Sequence, residues 1–212
     1  NSAKNKSGTM TGVSLNREFT LYVTHVEADG PMLRIWGQID KEKALHIENL
    51  IESLDAGFKR GLGAIQADSV LVPHTTCCAY HENGYYRARI CRPNNGTGTI
   101  LVYFMDYGHT ETVSYEDVRI LNDTMEGIEL QTIGALAADF ILADVLSVRD
   151  FWDYRLLDEI KNTLRYEEMP ASICYVFKNT RRALRLRYQG KDFSERLIAE
   201  GKARFASSDH FA

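Results

Sequence analysis

The chain has 212 residues, 44% apolar and 25% charged, with a formal net charge of -4 and an isoelectric point near 5.9. That composition can bury one good core or two small ones and excludes a disordered chain, while the small acidic excess argues against a reader of nucleic-acid backbones and for a basic ligand. The longest apolar run, Ile133 to Leu142, is broken by Asp139 and is far short of the roughly 20 residues a membrane-crossing helix needs.

The opening dozen residues, NSAKNKSGTMTG, are small, polar and aperiodic, which is the pattern of a frayed tail. They carry no secretory signal. Phe19 to Val26 alternates with Phe19, Leu21 and Val23 on one face, and after Asp29-Gly30-Pro31 the run Met32 to Ile39 is strand-like again, so a hairpin is expected. Ala44, Ile47, Leu50, Ile51, Leu54 and Phe58 then recur at helical spacing, with Glu42, Glu48, Glu52 and Asp55 on the other face; the expected amphipathic helix ends near Gly57 to Gly63.

Between about Ser69 and Leu121 short alternating runs are broken by turn chemistry at Asn83-Gly84, Pro93 to Gly98 and Tyr107-Gly108. The pattern predicts a small antiparallel barrel of four or five strands. Four cysteines, Cys77, Cys78, Cys91 and Cys174, make no C-x-x-C pair, and the adjacent Cys77 and Cys78 would face opposite sides of a strand. Neither a zinc site nor a disulfide framework is expected, and the thiols read as reduced ones in an intracellular protein.

Past the barrel, Gln131 to Val145 mixes small and apolar residues as a buried strand would. Ser147 with Asp150 three residues later resembles a capping box for a helix carrying Trp152, Leu156, Ile160 and Leu164 inward. A second hairpin is expected from Ala171 to Phe177 and Ala183 to Tyr188 around Lys178-Asn179-Thr180, and a last helix from Phe193 to Glu200 ending at Gly201. Neither flank of the barrel carries an independent core, so the two should complete one another.

Three pieces of the barrel segment carry a family likeness: Cys78-Ala79-Tyr80, then Tyr85-Tyr86-Arg87-Ala88, then Val102-Tyr103-Phe104-Met105-Asp106-Tyr107-Gly108. In this order and spacing they resemble the Tudor-domain signature of an aromatic, a WYRA-like strand and a VxFxDYGN strand end. With the flanking strands and helices, from about Val13 to Phe205, the whole resembles an extended Tudor domain. The resemblance implies an α+β protein, mainly β with α, in which an SH3-like Tudor barrel interrupts a split OB-type, staphylococcal-nuclease-like domain. On this reading residues 1–12 are the tail, 13–65 the first part of the OB-type domain, 66–122 the barrel, and 123–212 the linker strand and helix with the second part. The resemblance also implies a non-catalytic reader and adaptor for methylated arginine, typically symmetric dimethylarginine in Arg-Gly or Arg-Ala tails of Piwi-class Argonaute proteins. Its setting would be small-RNA silencing in cytoplasmic, perinuclear germ granules, as a monomeric domain of a larger protein, without cofactor or metal.

The family's cage aromatics fall on Tyr80, Tyr86, Phe104 and Tyr107, and its polar cage position, usually Asn, falls on His109. Methylation enlarges a guanidinium and removes donors while leaving its charge, and ring faces attract such a cation by about 0.5 to 2 kcal/mol each. Aromatics in strands also serve simply as core and cross-strand packing; Tyr85 and Tyr103, one residue out of phase, should face elsewhere. His109 can accept a guanidinium N–H while neutral, whereas imidazolium only donates and repels, so binding should weaken through about pH 6.5; equally, it can be a turn histidine facing away. Glu82 and Asp106 form a candidate acidic rim for a basic peptide, with turn stabilisation the alternative for Asp106.

Two other functions fit parts of the sequence. Arg181, Arg182, Arg185 and Arg187 form one basic cluster that would suit an RNA binder or nuclease on an OB-type surface, although no carboxylate constellation for metal-assisted cleavage is apparent. A scaffold binding unmodified peptide through a degenerate cage is the other.

Overall fold

The computed structural model describes residues 15–65, 71–94, 97–121, 123–177 and 181–207. The expected tail and the Lys178-Asn179-Thr180 turn lie outside them. In chain order the elements are β1 (Glu18–Asp29), β2 (Met32–Gln38), α1 (Lys41–Lys59), β3 (Thr76–His81), β4 (Gly84–Asn94), β5 (Thr99–Phe104), β6 (His109–Ser114), β7 (Val118–Ile120), α2 (Met125–Thr132), β8 (Ala138–Leu142), β9 (Val145–Ser147), α3 (Tyr154–Leu164), β10 (Glu168–Val176), β11 (Arg182–Tyr188), β12 (Lys191–Asp192), α4 (Phe193–Ala199) and β13 (Ala203–Phe205). They fall into two compact units, one from the residues up to Ile39 together with those from Ala137 onward, the other from Asp40 to Leu136. The boundaries expected at 65/66 and 122/123 therefore fall inside the second unit, which holds α1 and α2 as well as the barrel strands.

The first unit is built from both ends of the chain. Its strands run β10-β1-β2-β8-β11-β12, and β11 pairs back onto β10, so five strands close on themselves. Gly30, at φ +58, makes the tight β1–β2 turn that a side-chain-bearing residue would resist. A bulge between Val23 and His25 inserts one residue, so Leu21, Val23 and Val26 all reach full burial although strict alternation would turn Val26 outward. Inside lie Ile35, Phe140, Leu184 and Leu186 with Ile160 and Leu164 of α3, and Trp152 belongs to the same core; Trp36 is also buried in this unit.

Two expectations for the chain beyond the barrel strands need correction. The helix carrying Leu156, Ile160 and Leu164 is capped by Asp153, whose carboxylate accepts from the Arg155 and Leu156 amides. Ser147 does not cap it, because Ser147 is a strand residue paired with Ala203. The segment from Gln131 onward is strand only from Ala138; Gln131 lies in the last turn of α2, a helix without a periodic sequence signal. The hairpin of β10 and β11 and the closing helix α4, followed by Gly201 at φ +69, stand as expected.

The second unit is a five-stranded barrel in the order β6-β5-β4-β3-β7. The two neighbouring cysteines mark its two layers: Cys77 joins Ala79, Ala88, Ile90, Ile100 and Val102 in the interior, while Cys78 points outward to Ile47, Ile51, Leu54 and Phe58 of α1 and Leu130 of α2. Burial pushes the Cys77 thiol up to about 12 and raises that of Cys78 as well, and all four cysteines are free thiols. Helix α1 begins where the Asp40 carboxylate accepts from the Lys43 amide at 3.0 Å. Its far end is held by Arg119, which donates to the Phe58 carbonyl at 2.9 Å.

Candidate functional site

The site forms where β5 turns into β6. The Tyr107 and Gly108 amides both donate to the Phe104 carbonyl, at 3.1 and 2.8 Å, and Gly108 takes φ +91, a conformation that only glycine adopts without strain. The tight turn leaves Tyr107 between Phe104 and His109, which face each other across the ladder. On β4 the inward-facing residue Tyr86 stands beside them.

The rings meet at short range. Tyr86 lies edge-on to Tyr107, with centroids 5.2 Å apart and planes at 83°, and edge-on to Phe104 at 6.3 Å and 87°. His109 lies 5.1 Å from Phe104. The Tyr86 hydroxyl donates to the Asn83 side-chain oxygen at 3.0 Å, which orients its ring. Phe104 is 1% exposed and forms the floor; Tyr86, Tyr107 and His109 are half-buried around it. Four of the five expected cage residues are thus brought together.

Tyr80 is not among them. In the β3–β4 ladder Tyr80 pairs with Tyr85, and Ala79 pairs with Tyr86, so Tyr80 stands on the opposite face from Tyr86. Its ring packs edge-on to Tyr85 at 5.3 Å, and Tyr85 in turn packs on Phe58 of α1. The residue that joins the cluster from β3 is His81, one position further on. Its imidazole lies 5.3 Å from Phe104 and 5.9 Å from His109. Sequence reasoning missed it because a histidine beside a turn has no periodic signal; the alternation from Cys77 and Ala79 was the available clue.

The acidic rim also needs correction. Asp106 is 4% exposed, and its carboxylate takes a two-point contact from Arg87, Nε to Oδ2 at 2.9 Å and Nη2 to Oδ1 at 2.6 Å. The remaining Arg87 N–H groups donate to the carbonyls of Leu130, Ile133 and Gly134, at 3.0, 2.5 and 2.8 Å, so all five guanidinium donors are used. Asp106 Oδ1 also accepts from the Leu136 amide at 3.0 Å. This buried network holds the Phe104–Tyr107 turn to the chain that follows α2. Glu82 is exposed in the β3–β4 turn at φ +53, its carboxylate 3.8 Å from His81 Nε2.

Residues 13–135 match the Tudor domain family model. The chain belongs to the Tudor-domain family. Over 110 residues it is 29% identical to mouse Tudor domain-containing protein 6, covering 50% of this chain and 5% of that much longer relative. In three dimensions it resembles the extended Tudor domain TD3 of mouse TDRD1, solved with a MILI peptide containing dimethylarginine, at TM-score 0.71 and 16% identity over 92% of this chain and 97% of that one. It also resembles a variant of the Drosophila melanogaster Papi extended Tudor domain solved with a Piwi N-terminal peptide, at TM-score 0.69 and 17% identity over 90% of this chain and all of that one. At such identities the likeness establishes the extended Tudor fold.

Among the described residues no group of three or more His, Cys, Asp or Glu side chains is placed to hold a metal ion, and no helix is long and apolar enough to cross a membrane. Three of the four clustered arginines face carboxylates: Arg181 with Asp29 at 2.8 Å, Arg185 with Asp144 at 2.8 Å and Arg187 with Glu18 at 3.4 Å.

Proposed function

We propose that this Tudor domain is a non-catalytic reader of methylated arginine, with symmetric dimethylarginine in the tail of a Piwi-class protein as its target. Tyr86, Phe104 and Tyr107 supply the ring faces and His109 the polar group. The observation that carries the reading is the convergence of these four rings at one turn of the barrel, with two rings perpendicular to the third. A dimethylguanidinium offers such walls a delocalised charge for cation–π attraction and methyl groups for apolar contact. One side chain with a short extended segment buries less than a standard interface, so the expected affinity is roughly micromolar, about -8 kcal/mol. The domain would act as an adaptor within a longer protein, recruiting its partner in small-RNA silencing in cytoplasmic, perinuclear granules.

Calorimetric titration with one Arg-Gly peptide in unmodified, asymmetric and symmetric dimethyl forms tests the proposal, with Tyr107→Ala as control. A graded preference that the substitution abolishes supports it. The near-complete burial of Phe104 favours a second reading, a scaffold whose ring cluster is closed and binds an unmodified peptide elsewhere on the surface; equal or absent heats for all three peptides would select it. Carboxylate partners on Arg181, Arg185 and Arg187 weigh against an RNA-binding groove at those positions.

A further inference from the structure

We infer that His81 is the occupant of the Phe104 face in the peptide-free domain, and that a guanidinium enters the site only as the His81 ring leaves. The inference rests on the reader function proposed above and concerns what controls it. A cation engages an aromatic face within about 6 Å of the ring centroid. In this structure that distance is already taken: the His81 imidazole sits 5.3 Å from the Phe104 centroid, with planes 40° apart, while Tyr86 and His109 stand on its other approaches, leaving Phe104 1% exposed. A ligand cannot reach the floor while all three remain.

Of the three, His81 is the one built to move. Tyr86 is held by its hydroxyl bond to Asn83 and by the Tyr107 ring, and it pairs with Ala79 within the β3–β4 ladder. His109 opens β6 directly opposite Phe104 in the ladder. His81 is the last residue of β3, paired with Gly84, and Glu82 beyond it already sits at φ +53 in the two-residue turn. Its side chain is 32% exposed, and the carboxylate facing it, Glu82, is 63% exposed at 3.8 Å. Among the described residues, the titratable ring that stands against it is His109, 5.9 Å away. Rotation of His81 toward the Glu82 side would free the Phe104 face without disturbing the strand.

The test separates an occupant from a wall. His81→Ala is expected to bind the symmetrically dimethylated Arg-Gly peptide about threefold to tenfold more tightly than wild type, the range corresponding to one aromatic contact released. In the free wild-type domain, nuclear Overhauser contacts between the His81 and Phe104 rings are expected, and saturation with peptide should abolish them. Tighter binding by His81→Ala, or binding by that variant alone, supports the inference. Equal or weaker binding by His81→Ala, with wild type still binding, overturns it and makes His81 a cage wall, as do ring contacts that persist at saturation. If neither protein binds any methylation form, the reader function itself falls, and this inference with it.

Discussion

Removing the Arg87 guanidinium should damage the barrel more than any single ring of the site. Arg87 is fully buried, and its five N–H groups meet both oxygens of Asp106 and the carbonyls of Leu130, Ile133 and Gly134. Truncation to alanine strands a buried carboxylate, which costs about 3–5 kcal/mol, and orphans three carbonyls, each worth about 1–3 kcal/mol when left dry. Water entering the vacated space recovers part of this, so a loss of at least about 4 kcal/mol is expected, from a total of about 5–15 kcal/mol for such a domain. Arg87→Lys keeps the charge but has three donors for five contacts, so about 2–4 kcal/mol should go. A double replacement, Arg87→Met with Asp106→Leu, is the sharper case. For a simple buried pair such a change is often neutral, but here it still leaves three carbonyls and the Leu136 amide unpaired, and the protein should stay destabilised. Hydrogen exchange at the interior amides of Ile90 and Val102 reads the stability of the barrel directly. Arg87→Ala within about 1 kcal/mol of wild type, or recovery in the double variant, would refute the reasoning.

Tyr107→Ala and Tyr86→Ala should each weaken dimethylarginine-peptide binding at least about tenfold, as loss of one cation–π wall implies, whereas Tyr80→Ala, on the far face of β3, should change it less than about twofold in the same titration. Affinity should fall on acidification, because a protonated His109 imidazole repels a cation; His109→Asn should flatten the profile, and a flat profile for wild type between about pH 5 and 8 would contradict this. Mass-spectrometric mapping after mild alkylation at about pH 8 should find Cys91 and Cys174 modified well before the buried Cys77 and Cys78. Because native Cys77 holds its proton to about 12 while an unfolded thiol releases it near about 8.5, the contribution of that burial to stability is present at neutral pH and drains away above the unfolded value.

Much of the fold is written locally. Ile47, Ile51, Leu54 and Phe58 recur at helical spacing, and all four are buried on α1. The alternation that sets Cys77 against Cys78 appears directly as two separate cores. Helix α2 escaped because it has no apolar stripe: Met125 is 84% and Ile128 49% exposed, and only Gly127 and Leu130 are buried. The false cap at Ser147 satisfied the spacing rule, but pairing of β9 with β13 is a contact across more than fifty residues that no local rule sees. The site divides in the same way. Motif spacing located Tyr86, Phe104, Tyr107 and His109, yet it counts residues without fixing register, and the pairing of Tyr80 with Tyr85 decides which face a ring occupies. Asp106 looked like a rim carboxylate because its partner, Arg87, lies on another strand.

Assembly of the first unit from both chain ends has a cost in time during synthesis. Ser172, the partner of Glu18 in the β1–β10 ladder, emerges 154 residues later (172 − 18), which at ribosomal speeds is roughly 8 to 30 s. Throughout that interval the β1–β2 hairpin has an unpaired outer edge, a template for joining other nascent chains. The contiguous segment from Asp40 to Leu136 can meanwhile complete its own pairings, so translation delivers a finished barrel before the unit that brackets it can close.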